Sequence, residues 1–328
     1  MSLSDFEEKI TSQYGIKGEK MIDELCERFH ELGFIAYFKD NSMKHVVLNA
    51  QKLIDGIACV ISNGVSCEKK ELHEEVLEYN RSGILSRRLL NELWESDERL
   101  KLSKSECEVF CQFLLKLNLM VEESDGLSGS TPMEKIKYIV PAMLMRSNEK
   151  MSSIRFTFHH NVAYFNLIDK NSGSRVYPMG VFYRLLAKTC AVTQLTSNFK
   201  PILSRSEAIV AVAETFVHLV SDAKNCRIKM VINSRTPSGI IYLFEIFVME
   251  VVRDYFPEMG YVVDVEIGVG VGVGGSEKVG LVNLLESKES LKSGKAIFVE
   301  IDGKAVEAKR ELFDEWMISS FFQFRCEI

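Results

Sequence analysis

The chain has 328 residues, with 40 Lys and Arg against 46 Asp and Glu, a net charge of −6, and 46% apolar residues. At ~150 residues per domain this length allows two domains, and the apolar content excludes a disordered chain. The acidic balance argues against a polyanion such as DNA as partner, because phosphate binding needs clustered positive charge.

Residues 4 to 32 are predicted helical, with Ser4 and Glu7 as a capping box and Ile22, Leu25, Phe29 and Leu32 at helical spacing. Gly33 stops that helix. Phe34 to Phe38 is a short apolar strand, Lys39 to Ser42 a turn, and His45 to Asn49 a second strand. A helix over 50 to 62 places Leu53, Ile54, Ile57, Ala58 and Ile61 on one side. From 68 to 121 the pattern is helical again: Gly83 to Trp94 forms one amphipathic unit, and Ser103 with Glu106 caps the next, which runs to about Leu117. Residues 124 to 132 form a polar loop, and Tyr138-Ile139-Val140 a strand that Pro141 closes.

Near residue 150 the character changes. Ile154 to Phe158 alternates as a half-buried strand does, and Val162 to Ile168 is strand-like. A helix follows Pro178, grouping Phe182, Leu185 and Leu186. Residues 207 to 233 carry conflicting signals. Ser204 and Glu207 form a capping-box pattern, whereas the Val, Ile and Thr density favours two or three antiparallel strands, which is the expectation adopted. Residues 239 to 256 form a long core helix, too charged and too short to span a membrane. Strands are predicted over Tyr261 to Val273 and Ala296 to Ile301. Without βαβα alternation a doubly wound sheet is disfavoured, and no fixed-period repeat is present.

Motifs that carry chemistry are sparse. The eight cysteines contain no C-x-x-C pair, and Cys107 and Cys111 share a helix face. Scattered cysteines and an acidic N-terminus point to a cytoplasmic protein. The histidines have no zinc spacing, and no metal or other cofactor is expected. Gly270, Gly272 and Gly275 match G-x-G-x-x-G, but no helix or parallel strand frames them, so Gly268 to Gly275 reads as a bare strand or hairpin arm. A P-loop and a nucleophile elbow are missing. Asp264 and Glu266 share a strand face, for which a solvated surface is the simpler reading. Residues 83 to 123 have a winged-helix outline. Its second helix offers Glu106, Glu108, Gln112 and Lys116 rather than a basic surface.

Several segments in order resemble the COR domain (C-terminal of Roc) of ROCO-family proteins. Phe29-His-Glu-Leu-Gly-Phe-Ile-Ala-Tyr-Phe-Lys-Asp40 is similar to the family's opening, and Val46 to Asp55, running on to Val60 and Ile61, to the segment after it. Gly83 to Trp94, Phe113 to Leu119 and Tyr138 to Leu144 continue the series, and Tyr177-Pro-Met-Gly-Val-Phe-Tyr-Arg-Leu-Leu186 looks like the opening of the second COR subdomain. Ala50 and Lys52 stand where the family tends to carry Pro and Trp. No Roc GTPase, leucine-rich repeat or kinase segment accompanies the resemblance, so the chain is expected to be an isolated COR region, a fragment or a stand-alone module.

The pattern is helix-rich before about residue 148 and mixed antiparallel α+β after it, which gives an α+β fold with a helical, winged-helix-like first subdomain over residues 1–148 and a mixed antiparallel α+β second subdomain over 149–328; the resemblance implies that the first faces a GTPase and the second dimerises. It implies a non-catalytic module, coupled to a Roc-type Ras-like GTPase in signalling, acting as a homodimer, with no nucleic acid and no membrane span. Its interface or hinge candidates are Tyr177, Pro178, Phe182, Arg184 and Leu185, with Phe29, His30 and Trp94 in the first subdomain. Core packing is the competing role for each apolar member. The competing functions are a winged-helix nucleic-acid binder and an enzyme holding a nucleotide at Gly270 to Gly275.

Overall fold

The computed structural model describes residues 3–37, 45–62, 64–123, 136–146, 160–270, 277–293, 295–301, 304–308, 313 and 316. The predicted turn at 39 to 42, the loop at 124 to 132, the strand at 154 to 158, His159, and residues 271 to 275 of the Gly-Val stretch lie outside them. The fold is α+β, and the chain divides into two compact units, Met1–Met143 and Leu144–Ile328.

In the first unit the expected single N-terminal helix is two, α1 (Leu3–Tyr14) and α2 (Glu19–Glu31). Gly15 and Gly18 take φ of +70° and +105°, left-handed values that a helix cannot continue through. Ser4 lies inside α1 rather than ahead of it. The strand pair expected after α2 is represented by one antiparallel bridge, Ala36 to Val47, with both backbone hydrogen bonds present. Phe6, Ile22, Cys26, Ile35, Tyr37 and Val46 form a small core around these elements.

A second, larger core is built by α3 (Ala50–Val60), α4 (His73–Ser82), α5 (Arg87–Ser96) and α6 (Lys104–Lys116). The segment expected as one helix from Gly83 is instead a strand followed by a helix. Gly83 closes α4 in the left-handed conformation at φ 72°, Ile84–Ser86 is strand β1, and Ser86 caps α5 by accepting from the Leu89 N–H. Ser103 and Glu106 make the expected capping box. Strands β2 (Val121–Glu123) and β3 (Lys137–Ile139) complete an antiparallel sheet of order β1-β3-β2.

Among its described residues the second unit holds a nine-stranded antiparallel sheet. In chain order its elements are β4 (His160–Asp169), α7 (Met179–Thr196), β5 (Ile202–Leu203), β6 (Glu207–Val212), β7 (Thr215–Asp222), β8 (Arg227–Asn233), α8 (Ser238–Tyr255), β9 (Met259–Gly270), β10 (Glu277–Asn283), α9 (Leu284–Lys292), β11 (Ile297–Ile301) and β12 (Lys304–Ala308). The sheet order is β12-β11-β10-β9-β4-β8-β7-β6-β5. Residues 207 to 233 are thus three antiparallel strands. The Ser204 motif is real but local: its hydroxyl accepts from the Glu207 N–H at 3.0 Å at the entry to β6, not to a helix. Helix α7 packs on β6 and on α8, and α8 on β9. Along β4 both faces are covered: Ala163, Phe165 and Leu167 on one face are fully buried, and Val162, Tyr164 and Asn166 on the other are buried as well. No helix is long and apolar enough to cross a membrane among the described residues.

Candidate functional site

Five of the candidate residues are brought together where α7 begins. The chain leaves β4 through a turn held by the Asp169 carboxylate, which accepts from the Asn171 and Ser172 N–H groups. It returns along the strand by the bridge between Ile168 and Arg175. The Tyr177 hydroxyl donates to Ser221 Oγ at 2.7 Å, and burial pushes its pKa well above the usual tyrosine range. Pro178 then opens α7, and its carbonyl accepts from the Val181 N–H.

Phe182 and Leu185 point into the core and are fully buried. Arg184 does not. Its guanidinium centre stacks 4.4 Å from the Tyr255 ring centroid and 5.6 Å from that of Phe256, at the end of α8. Nη1 donates to the Gly180 carbonyl at 3.4 Å, and Nε is buried without a hydrogen-bond partner. Burial draws the Arg184 pKa below its ordinary value, with Tyr255 acting in the opposite direction. The aromatic faces supply the compensation a carboxylate would normally give, worth ~0.5–2 kcal/mol.

The first-unit candidates do not form one site. Phe29 packs against the small core and edge-on to Phe34 with centroids 6.3 Å apart, and the exposed His30 has Nδ1 3.3 Å from the Ile35 carbonyl oxygen. Trp94 is in the larger core, fully buried, with Nε1 donating to the Gly56 carbonyl at 2.9 Å and its ring edge-on to Phe110. Trp94 is therefore a packing residue.

Two polar arrangements are not visible in the sequence pattern. In the first unit Arg87 is buried and donates to Glu108 at 2.6 Å and to the Tyr138 hydroxyl at 3.1 Å. Glu106, on the same helix as Glu108, meets Lys52 at 3.3 Å. The acids of the second helix of the winged-helix outline are thus spent on internal contacts. In the second unit Asp264 and Glu266 share a face, as expected. Each has its own donor from β4: Asn166 Nδ2 reaches Asp264 at 2.9 Å, and the Tyr164 hydroxyl reaches Glu266. Arg227 stacks over Tyr164 at 4.0 Å. Burial raises the Asp264 pKa, opposed by the Asn166 bond. Two carboxylates with separate donors are not arranged to share a proton.

Gly268 and Gly270 lie in β9, opposite Val279 and Glu277 of β10, in an antiparallel pair rather than a strand-to-helix turn. The described part of this stretch, a strand pair, offers no helix N-terminus to a pyrophosphate. Among the described residues no group of three His, Cys, Asp or Glu is placed to hold a metal ion.

The elements from α4 to β3 run helix, strand, helix, helix, strand, strand. Residues 1–144 match the family model described as C-terminal of Roc, COR-A domain. Over these residues the chain is similar to COR-A domains. COR-A is a non-catalytic regulatory domain of ROCO-family proteins, and the COR-A match ends where the first compact unit ends. No curated protein matches the chain.

Proposed function

We propose that this chain is a dimerising regulatory module that couples to a Roc-type Ras-like GTPase in signalling. The COR-A match over residues 1–144 is the observation that carries it. In this reading the second unit is the second COR subdomain and supplies the homodimer contact. The segment from Tyr177 to Leu186 anchors that subdomain, with Arg184 as its polar contact and Phe182 and Leu185 as core.

Further support comes from charge. The first unit holds 25 acidic against 18 basic side chains, which disfavours a nucleic-acid partner for its winged-helix outline. Glu108 and Glu106, turned to Arg87 and Lys52, leave that helix no basic face for a groove. Light scattering of the purified chain tests the dimer. The expected mass is twice the 37.3 kDa of one chain, and a single-chain mass at every concentration would refute dimerisation.

A further inference from the structure

The first 31 residues carry eight acidic and four basic side chains, so four of the six net negative charges of the chain reside in α1, α2 and their connection. The inner side of α2 is used, since Ile22 and Cys26 belong to the small core. Among the described residues its outer side is less covered. A groove of about 480 Å³ runs along it, with Ile16, Met21 and Leu25 as an apolar floor and Glu24, Glu27 and Glu31 as a rim. Arg28 is the single base in the lining, and it is tied to Glu31 at 3.2 Å. Met21 is 54% exposed, and Leu32, just past the helix end on the same side, is 60% exposed.

An apolar strip of this kind calls for a cover, and its charge selects which. An anionic lipid surface is repelled by it, since membranes recruit basic faces. The same face of a second copy brings like charges together. An apolar strip with an acidic rim is complementary to a helix that carries one apolar stripe and a Lys or Arg flank. We propose that the outer face of α2 is a docking groove for a basic amphipathic helix of a partner protein.

Fluorescence anisotropy with the whole chain tests it, using a labelled Leu/Lys amphipathic peptide of about five helical turns and the same peptide with Glu for Lys. The Lys peptide is expected to bind, more weakly as salt rises, and the Glu peptide not to bind. Met21→Ser with Leu32→Ser, both at exposed positions, should weaken the Lys peptide about tenfold or more by removing buried apolar area. Glu24→Lys with Glu31→Lys should do the same and allow the Glu peptide to bind, whereas Glu214→Lys in the β6–β7 turn should change neither affinity. Circular dichroism of each variant checks that the helices persist. No binding of the Lys peptide, equal binding of both peptides, or equal loss from Glu214→Lys overturns the proposal.

Discussion

Gly56 sits in the interior of α3, where an exposed glycine would be improved by alanine. Helix propensity favours Gly56→Ala by about 1 kcal/mol. The packing opposes it: a Cβ at this position would lie 2.7 Å from Phe110 Cε1 and 2.8 Å from Cδ1. Phe110 is itself held edge-on against the buried Trp94, whose indole N–H is bonded to the Gly56 carbonyl, so the ring cannot swing aside freely. Overpacking of this kind costs ~1–3 kcal/mol, which exceeds the propensity gain and leaves a net loss of about 1 kcal/mol. Phe110→Leu removes the obstructing ring edge, so Gly56→Ala in that background should become stabilising. The two changes should therefore be coupled by ~1–3 kcal/mol. Urea unfolding followed by Trp94 fluorescence measures this, with Trp316→Phe as the common background so that the signal reports the first unit. A shift of the midpoint at constant slope reads stability directly. Stabilisation by Gly56→Ala in the Phe110 background would show that α3 and α6 do not meet as described.

Ser103→Ala removes the capping box of α6 and should cost ~0.5–2 kcal/mol by the same assay. The Ser103 backbone and hydroxyl, then Lys52, hold the Glu106 pKa below its ordinary value. A depressed carboxylate pKa contributes stability above the unfolded-state value and loses it as pH falls through the folded one. Ser103→Ala keeps the backbone N–H bond and should lessen the acid-side dependence only in part, whereas Glu106→Gln should remove it, and an unchanged acid limb in Glu106→Gln would refute the assignment. Glu108→Gln leaves the buried Arg87 with the Tyr138 hydroxyl but no charge partner, and should destabilise by ~1–3 kcal/mol, since Glu108 is partly exposed. Arg87→Met, which removes the buried charge instead, should cost less; the opposite order in thermal unfolding would contradict the pairing.

The features legible in the sequence are those that depend on near neighbours. The Ser103 box works because the hydroxyl and the N–H it accepts from lie three residues apart, and α6 forms where expected. Ser204 shows the limit: the same spacing makes the same hydrogen bond, yet it leads into β6, a strand paired along its length with β7. Strand β1 is hidden because three residues between two helices become a strand only by pairing with Lys137–Ile139, some fifty residues on. The break at Gly15 and Gly18 is masked because the apolar spacing of α2 can be extended backwards through it. The surroundings of Arg184 are of the same non-local kind. Its position on α7 can be inferred, but Tyr255 and Phe256 come from the end of a different helix. The groove on α2 is equally hidden, because Met21 and Leu25 look like core residues until the second flank of the helix is seen to be uncovered.

The proposed function requires this chain to engage a Roc-type GTPase. Isothermal titration of the purified chain with an isolated Roc-type GTPase domain, loaded with GDP and then with a non-hydrolysable GTP analogue, tests it most directly. A saturable complex whose affinity differs between the two nucleotide states is expected. Heats indistinguishable from dilution in both states would contradict it.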